Sequence, residues 1–370
     1  MKNIVLTGAT GYLGAQLLGA LAKQSQVENI YLLDSGREGN DVLLKLNANS
    51  GHRTHRGNGF VSLQESTLQP ADISKMMGVI DTAFDCELAG ALECEFPKVL
   101  YVDPLTRWRR WLKHNSTLRL CFLSTTCVVG RRRGLFTEFD LECGQSFHND
   151  WERACYNAER QLRASEFAGR TTIFRPSLTV GDSHTGAIYK FSPFYEVLRL
   201  FRGPRNLISG DPKARIDIVP VDYVAEAVLA IAAEPGSEGK TYHLISGWEQ
   251  SKSLRDFVEL VRAHDQSDGN HIRIVPPIAR PFARAINRLN WGASMPHSNS
   301  LSSRLQGCLT HPAVFDNYMA RAVLDAKGIS CPPIHVYLSW IINFAETRHW
   351  RSEAAEPKVM AEQQTKMAVR

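Results

Sequence analysis

Three glycines, Gly8, Gly11 and Gly14, recur at every third position in the run Thr7-Gly8-Ala9-Thr10-Gly11-Tyr12-Leu13-Gly14. The run follows a short β-branched stretch and heads a helical pattern. At such a junction Gly8 permits a tight turn, Gly11 lets backbone approach an anion at the helix N-terminus, and Gly14 lets helix pack closely on strand. The spacing predicts that this loop, with Thr10, Tyr12 and Leu13, binds the pyrophosphate of a dinucleotide. About 20 residues further on, Asp34 closes the next β-branched run, where a carboxylate meets adenosine ribose hydroxyls. That favours NAD, while nearby Arg37 leaves NADP possible.

A second set of polar residues clusters near the middle of the chain. Ser124 and Thr125 end the apolar run Leu118 to Ser124, at the crevice where doubly wound sheets place ligands. Ser124 can polarise a carbonyl or simply cap the strand end. His148 and Asp150 have the chemistry for acid/base work, and Asp150 serves equally as a helix N-cap. Cys155 is a nucleophile by type, yet no histidine stands at an identifiable partner position, so it reads as a buried small hydrophobe.

The elements that must position these residues alternate. Asn3 to Thr7, Asn29 to Leu33, Asp81 to Phe84, Leu118 to Ser124, Thr171 to Phe174, Asp217 to Pro220 and Tyr242 to Ser246 read as strands. Tyr12 to Lys23, Asp150 to Phe167 and Val221 to Ala233 read as helices. This is an α/β pattern, a doubly wound parallel Rossmann sheet over 1–247, with 183–212 contributing to a substrate lobe. Residues 248–350 form a smaller, mainly helical substrate lobe, with helices expected at Ser253 to His264, Ile278 to Leu289 and His335 to Glu346 and a loop at Gly292 to Ser303. The polar stretch 351–370 reads as a disordered tail.

Composition narrows the function classes. The charge is +5, from 43 Lys and Arg against 38 Asp and Glu, too balanced for electrostatically driven nucleic-acid binding. Eight cysteines without a CxxC or a Cys/His cluster read as reduced thiols of a cytoplasmic protein with no metal site. No apolar stretch reaches the roughly 20 residues of a membrane span, and the apolar N-terminal stretch, interrupted by its glycines, reads as folded protein.

The glycine run, Ser124-Thr125-Thr126, Arg175-Pro176-Ser177, Val180-Gly181-Asp182-Ser183-His184-Thr185-Gly186 and Ile216 to Val224 together resemble an extended short-chain dehydrogenase/reductase. Within that superfamily the chain is most similar to the fatty acyl-CoA reductase and thioester reductase group, a likeness that Val314-Phe315-Asp316-Asn317, Pro332-Pro333 and Tyr337-Leu338 extend to about Trp350. The resemblance implies a small-molecule substrate, carried as an acyl thioester on coenzyme A or a carrier protein, and a possible homodimer. It implies substrate contacts at Pro176, Ser177 and His184, and the substrate-binding hydroxyl at Ser124. Arg107 to Arg110 with Trp108 and Trp111, and Arg131 to Arg133, could receive a phosphorylated substrate or an acyl-carrier protein, or form solvated faces.

Family members use a Tyr-x-x-x-Lys pair as proton donor and its lysine partner. In the register fixed by Ala158-Glu159-Arg160 and Arg175-Pro176, those positions hold Trp151 and Cys155. Tyr156 and Arg160 offer a rival register, but Tyr156 lies roughly 140° around the helix from Trp151 and reads as core. The adenine-contacting Asp is replaced by Ser66, the His-x-Ala-Ala turn by Asp85-Cys86-Glu87-Leu88, and the Asn-Val-x-Gly-Thr segment by Val102-Asp103-Pro104-Leu105-Thr106. A carboxylate at Glu87 is expected to repel a pyrophosphate. Three functions follow: a conventional reductase, an enzyme of altered chemistry (redox through Ser124, or a lyase, isomerase or cyclase step on an acyl or polyketide-like substrate), and a non-catalytic dinucleotide or partner binder.

Overall fold

The computed structural model describes residues 1–9, 11–34, 60–64, 78–90, 103–192, 194–202, 207–264, 273–276 and 313–350. Seven parallel strands form the central sheet: β1 (Asn3–Thr7), β2 (Asn29–Asp34), β3 (Phe60–Gln64), β4 (Thr82–Asp85), β5 (Arg119–Leu123), β6 (Thr171–Pro176) and β7 (Thr241–Leu244). Their order is β7-β6-β5-β4-β1-β2-β3. The chain therefore winds outward from β1 in one direction and returns to β4 to wind in the other, which opens a crevice at the carboxyl ends of β1 and β4. Thr7 is in register with both Leu33 and Asp85, so the glycine turn emerges at that crevice.

Strands covered on both faces must be apolar throughout, and Ile4, Val5, Leu6, Ala83, Phe84, Leu120 and Phe122 are fully buried. On one face lie α1 (Tyr12–Ala22) and α5 (Val221–Ala232), and on the other α2 (Pro104–His114) and α3 (Asp150–Ala164). Asp103 caps α2 by accepting from the backbone N–H groups of Leu105 and Thr106, and Pro104 in the first turn has no N–H to satisfy. In α3 the buried positions Trp151, Glu152, Cys155, Ala158, Glu159 and Leu162 repeat at helical spacing.

α4 (Phe194–Arg202) packs on α6 (Leu254–His264), with Phe194 and Phe257 rings 5.7 Å apart. α7 (Tyr318–Leu324) and α8 (Ile334–Thr347) close back on the sheet layer, where the Tyr337 hydroxyl donates to the Ile218 carbonyl at 3.2 Å. Apolar residues of 254–345 join the same core as Leu6, Phe174 and Val224. Glu138 fixes α7 by accepting from the backbone N–H groups of His243, Met319 and Ala320 at 2.9, 2.5 and 3.1 Å.

Some boundaries differ from the sequence reading. Ile218–Pro220 lies outside the central sheet and pairs with Leu178–Val180. Phe60–Gln64 and α2 were not among the elements read from the sequence: the strand has only five residues, and the helix sets a charged residue, Arg107, into the same buried stripe as Trp108, Trp111 and Leu112. The helix expected at Ile278 to Leu289, the loop at Gly292 to Ser303 and the tail at 351–370 lie outside the described residues. Among those residues, no helix is long and apolar enough to cross a membrane.

Candidate active site

The turn after β1 is tightened by a hydrogen bond from the Gly11 N–H to the Gly8 carbonyl, 3.0 Å. Gly8 sits at φ +68°, and a Cβ there would stand 2.7 Å from the Cys86 carbonyl carbon and from the Glu87 nitrogen. A Cβ on Gly14 would stand 2.0 Å from the Gly8 carbonyl oxygen. The turn and α1 therefore interlock through backbone alone. Gly11 caps α1 with extended backbone and no side-chain hydrogen bond, and the first turn of α1 carries no acid. Such a cradle suits an anion and fits a dinucleotide pyrophosphate. Asp34 ends β2 as expected, while Thr10 and Arg37 lie outside the described residues.

Beside this cradle, β4 ends in a buried polar network. Asp85 accepts from the Thr7 hydroxyl (3.0 Å), the Trp108 indole N–H (2.7 Å) and the Glu87 N–H (3.2 Å). Arg107 pairs with Glu87 at 2.6 Å and approaches Asp85 at 3.9 Å. Two expectations change here. Arg107, Trp108 and Trp111 are buried and face the sheet, leaving Arg109 and Arg110 exposed, so this run is not one basic docking face. Glu87 is not an isolated carboxylate, because Arg107 offsets its charge.

The cleft at the strand ends is lined by Tyr12, Ala89, Thr125, Cys127, Trp151 and Pro176, among others. Trp151 reaches it from α3, its indole N–H donating to the Leu88 carbonyl at 3.1 Å. Ser124 also borders the cleft, but its hydroxyl donates to Glu159 at 2.5 Å. Glu159 is fully buried and holds Arg175 in a bidentate pair, with contacts of 2.6 and 3.0 Å. Arg175 continues to His243 Nε2 at 3.1 Å, and His243 Nδ1 meets the Asp316 carbonyl at 2.6 Å. Burial and the Arg175 guanidinium hold His243 well below the usual histidine range. The ring is therefore neutral, with Nδ1–H donating to Asp316 and Nε2 accepting from Arg175. Ser124 thus belongs to a chain of buried polar groups that ties β5, α3, β6 and β7 to the segment before α7. Its expected role as carbonyl polariser is corrected on that ground.

Thr125 is placed differently. Its hydroxyl oxygen accepts from the Cys127 N–H at 3.1 Å and caps the turn Thr126–Val129. Among the described residues, its hydroxyl hydrogen has no acceptor. Cys155, one helical turn beyond Trp151, is completely buried and does not line the cleft. Burial pushes its thiol well above the ordinary value, so it is a protonated packing residue and not a nucleophile. Tyr156 is half-buried against Phe147, ring centroids 5.1 Å apart, and does not line the cleft either.

Pro176 and Ser177 both line the cleft, with the Ser177 hydroxyl donating to buried Asp217 at 2.5 Å. His184 is 85% exposed on a loop knitted by Asp182 and Asp222 and is absent from the cleft wall, which corrects its assignment as a substrate contact. Asn149, not Asp150, caps α3, accepting from the Glu152 N–H at 2.9 Å. His148 is buried beside Glu152 at 3.0 Å, and neither reaches the strand-end cleft. A second chamber shares Cys127, Ser177 and Leu178 with the cleft and continues between Val129, Arg215 and Phe315.

Sequence reasoning did not assign Glu159 a place in the site. A carboxylate eight positions beyond Trp151, in phase with the apolar stripe of α3, was the available signal: a charge on a buried helix face needs a buried partner. Asp85 carried a similar signal as an acid ending an otherwise apolar strand.

The strand order, the glycine turn and the cleft at the strand ends define a doubly wound Rossmann fold. Residues 101–228 match the NAD-binding family described as male sterility protein. The chain superposes on the terminal R domain from the myxalamid PKS-NRPS biosynthetic pathway with a TM-score of 0.72 at 22% identity, covering 94% of this chain and 91% of that one. It also superposes on dTDP-glucose 4,6-dehydratase from Bacillus anthracis in complex with NAD, with a TM-score of 0.61 at 14% identity, covering 94% and 97%. In sequence it is 25% identical over 274 residues to the nonribosomal peptide synthetase asaC of Aspergillus flavus, covering 66% of this chain and 26% of that protein. It is 41% identical over 75 residues to the non-canonical nonribosomal peptide synthetase FrzA of Cladobotryum sp, covering 20% of this chain and 7% of that protein. The chain thus spans about a quarter or less of the curated relatives it matches.

Proposed function

We propose that this chain is an NAD(P)-dependent reductase of acyl thioesters that works without a tyrosine proton donor. The observation that carries the reading is the Thr125 hydroxyl, which borders the cleft, as Trp151 does, and whose hydrogen has no acceptor among the described residues. When bound, the reduced dinucleotide supplies a hydride to an electrophilic carbonyl carbon. Gly8, Gly11, Gly14 and the N-terminus of α1, where Tyr12 and Leu13 form the first turn, would hold its pyrophosphate. Asp34 receives the adenosine ribose, which favours NAD over NADP.

Thr125 donates a hydrogen bond to the substrate carbonyl oxygen as negative charge develops there. A threonine hydroxyl is too weak an acid to surrender its proton to an alkoxide. A thioester does not require that step. Its tetrahedral intermediate collapses by breaking the carbon–sulfur bond, giving an aldehyde and a thiolate that takes its proton from water. A ketone or sugar substrate, by contrast, needs a proton delivered to oxygen, and the Trp151 indole N–H cannot deliver one. The acyl chain lies against Pro176 and Ser177 and extends toward Val129 and Phe315, with the thiol portion belonging to coenzyme A or a carrier protein. The names of the similar proteins, a terminal R domain and two nonribosomal peptide synthetases, support this substrate class.

The test is incubation of the purified chain with reduced NAD or NADP and an acyl-pantetheine thioester. Aldehyde and free thiol should appear in equal amounts. A second reading, a dinucleotide-binding protein without turnover, is favoured by one observation: the Ser124 hydroxyl and the Trp151 N–H are both engaged by protein acceptors. Dinucleotide binding with no product from any thioester would decide for it.

A further inference from the structure

Gly8, Glu87, Leu88, Ala89 and Trp151 form a continuous path from the glycine turn to the cleft. The Gly8 Cα lies against the Cys86–Glu87 peptide, the Leu88 carbonyl accepts from Trp151, and Ala89 lines the cleft wall. A ligand with its pyrophosphate on the N-terminus of α1 and its reactive ring in the cleft must cross this short helical turn, Glu87–Gly90. The segment of a dinucleotide that spans this gap is its second ribose, the one carrying the nicotinamide.

From these positions we propose that the Glu87 carboxylate, oriented by Arg107, binds the hydroxyls of that ribose. The proposal rests on the cofactor reading above. Glu87 is 29% exposed, whereas the Arg107 side chain is 2% exposed and fixes one carboxylate oxygen at 2.6 Å. The arginine is itself held over Asp85, whose other ligands are the Thr7 hydroxyl and the Trp108 indole. A carboxylate has two oxygens with about four acceptor sites, and a ribose cis-diol offers two O–H donors at matching separation. A charge-assisted pair of this kind favours the diol, and Arg107 offsets the repulsion that an unpaired Glu87 would exert on the pyrophosphate. Glu87 is thereby a positioning residue that places the ring over Thr125.

The proposal separates ligands that differ only in the second ribose. ADP carries the adenosine and pyrophosphate, and ADP-ribose adds the ribose without the nicotinamide. Calorimetric titration of the wild-type chain should show ADP-ribose binding roughly ten to a hundred times more tightly than ADP, the worth of one or two hydrogen bonds to a charged group. Glu87→Gln should weaken ADP-ribose and NAD by a similar factor and leave ADP unweakened. Equal affinities of the wild-type chain for ADP and ADP-ribose overturn the proposal without any variant. So does a Glu87→Gln chain that binds ADP-ribose as well as or better than wild type, which would mark Glu87 as merely repulsive. Failure of wild type to bind ADP, ADP-ribose or NAD would instead overturn the cofactor reading itself.

Discussion

Adjacent hydroxyls at the end of β5 should separate stability from chemistry. Ser124→Ala removes a buried donor 2.5 Å from Glu159 and leaves that carboxylate with Arg175 as its remaining close partner. A hydrogen bond to a charged group contributes about 1.5 to 3 kcal/mol, so unfolding in urea should shift by about that amount. Turnover at a temperature where the variant is folded should change little. Thr125→Val removes a hydroxyl that caps the short turn Thr126–Val129, a loss of roughly 1 kcal/mol in stability. It also removes a hydroxyl in the cleft wall whose hydrogen has no acceptor among the described residues, and turnover should fall roughly a hundredfold to a thousandfold, the scale of one lost oxyanion contact. The assay pairs urea denaturation with single-turnover aldehyde formation for both variants. A large turnover loss in Ser124→Ala with unchanged stability, beside a near-normal Thr125→Val, would refute this division of labour.

Glu159→Gln leaves Arg175 buried with His243 Nε2 and the Asp140 carbonyl among its acceptors but without the charge that neutralised it, and should cost about 3 to 5 kcal/mol by denaturant titration. Gly14→Ala places a methyl 2.0 Å from the Gly8 carbonyl, and calorimetry should show dinucleotide affinity falling at least tenfold, by roughly 1.4 kcal/mol or more, as α1 is displaced. Glu138 gives a pH signature. Burial raises its carboxyl to about 7, above its ordinary value of 4.5, so its contribution to stability is complete below about 4.5 and is lost as pH rises through about 7. Compared with wild type, Glu138→Gln should flatten the stability profile across that window by up to roughly 3 kcal/mol, and identical profiles would remove Glu138 as the titrating group.

The parts of the fold that were legible in the sequence are those set by local chemistry. The strand–glycine turn–helix opening follows from residues that can adopt few other arrangements, and β1, β2, β4, β5, β6 and β7 announce themselves as apolar runs. The β3 strand and α2 did not, because Phe60–Gln64 alternates over only five residues and α2 buries an arginine among its tryptophans. At the site, Trp151, Pro176 and Ser177 were legible only through the family resemblance, and all three line the cleft. What could not be read was which hydroxyl hydrogens are free. Ser124 and Thr125 are neighbours of equal chemical type, and only the three-dimensional approach of Glu159, 35 residues away, distinguishes them. Likewise Glu87 read as a repulsive charge until Arg107 stood beside it, and His184 read as a wall of the cleft until its loop folded outward.

The central claim is that a carbonyl carbon held beside Thr125 takes its new hydrogen from a bound dinucleotide and loses a thiol. Reduced NAD and NADP carrying deuterium on the transferable ring position, incubated with an acyl-pantetheine thioester and the chain, test it directly. The account predicts aldehyde with one deuterium at its carbonyl carbon, formed in step with free thiol and lost in Thr125→Val. Unlabelled aldehyde, or thiol released without aldehyde, would contradict it.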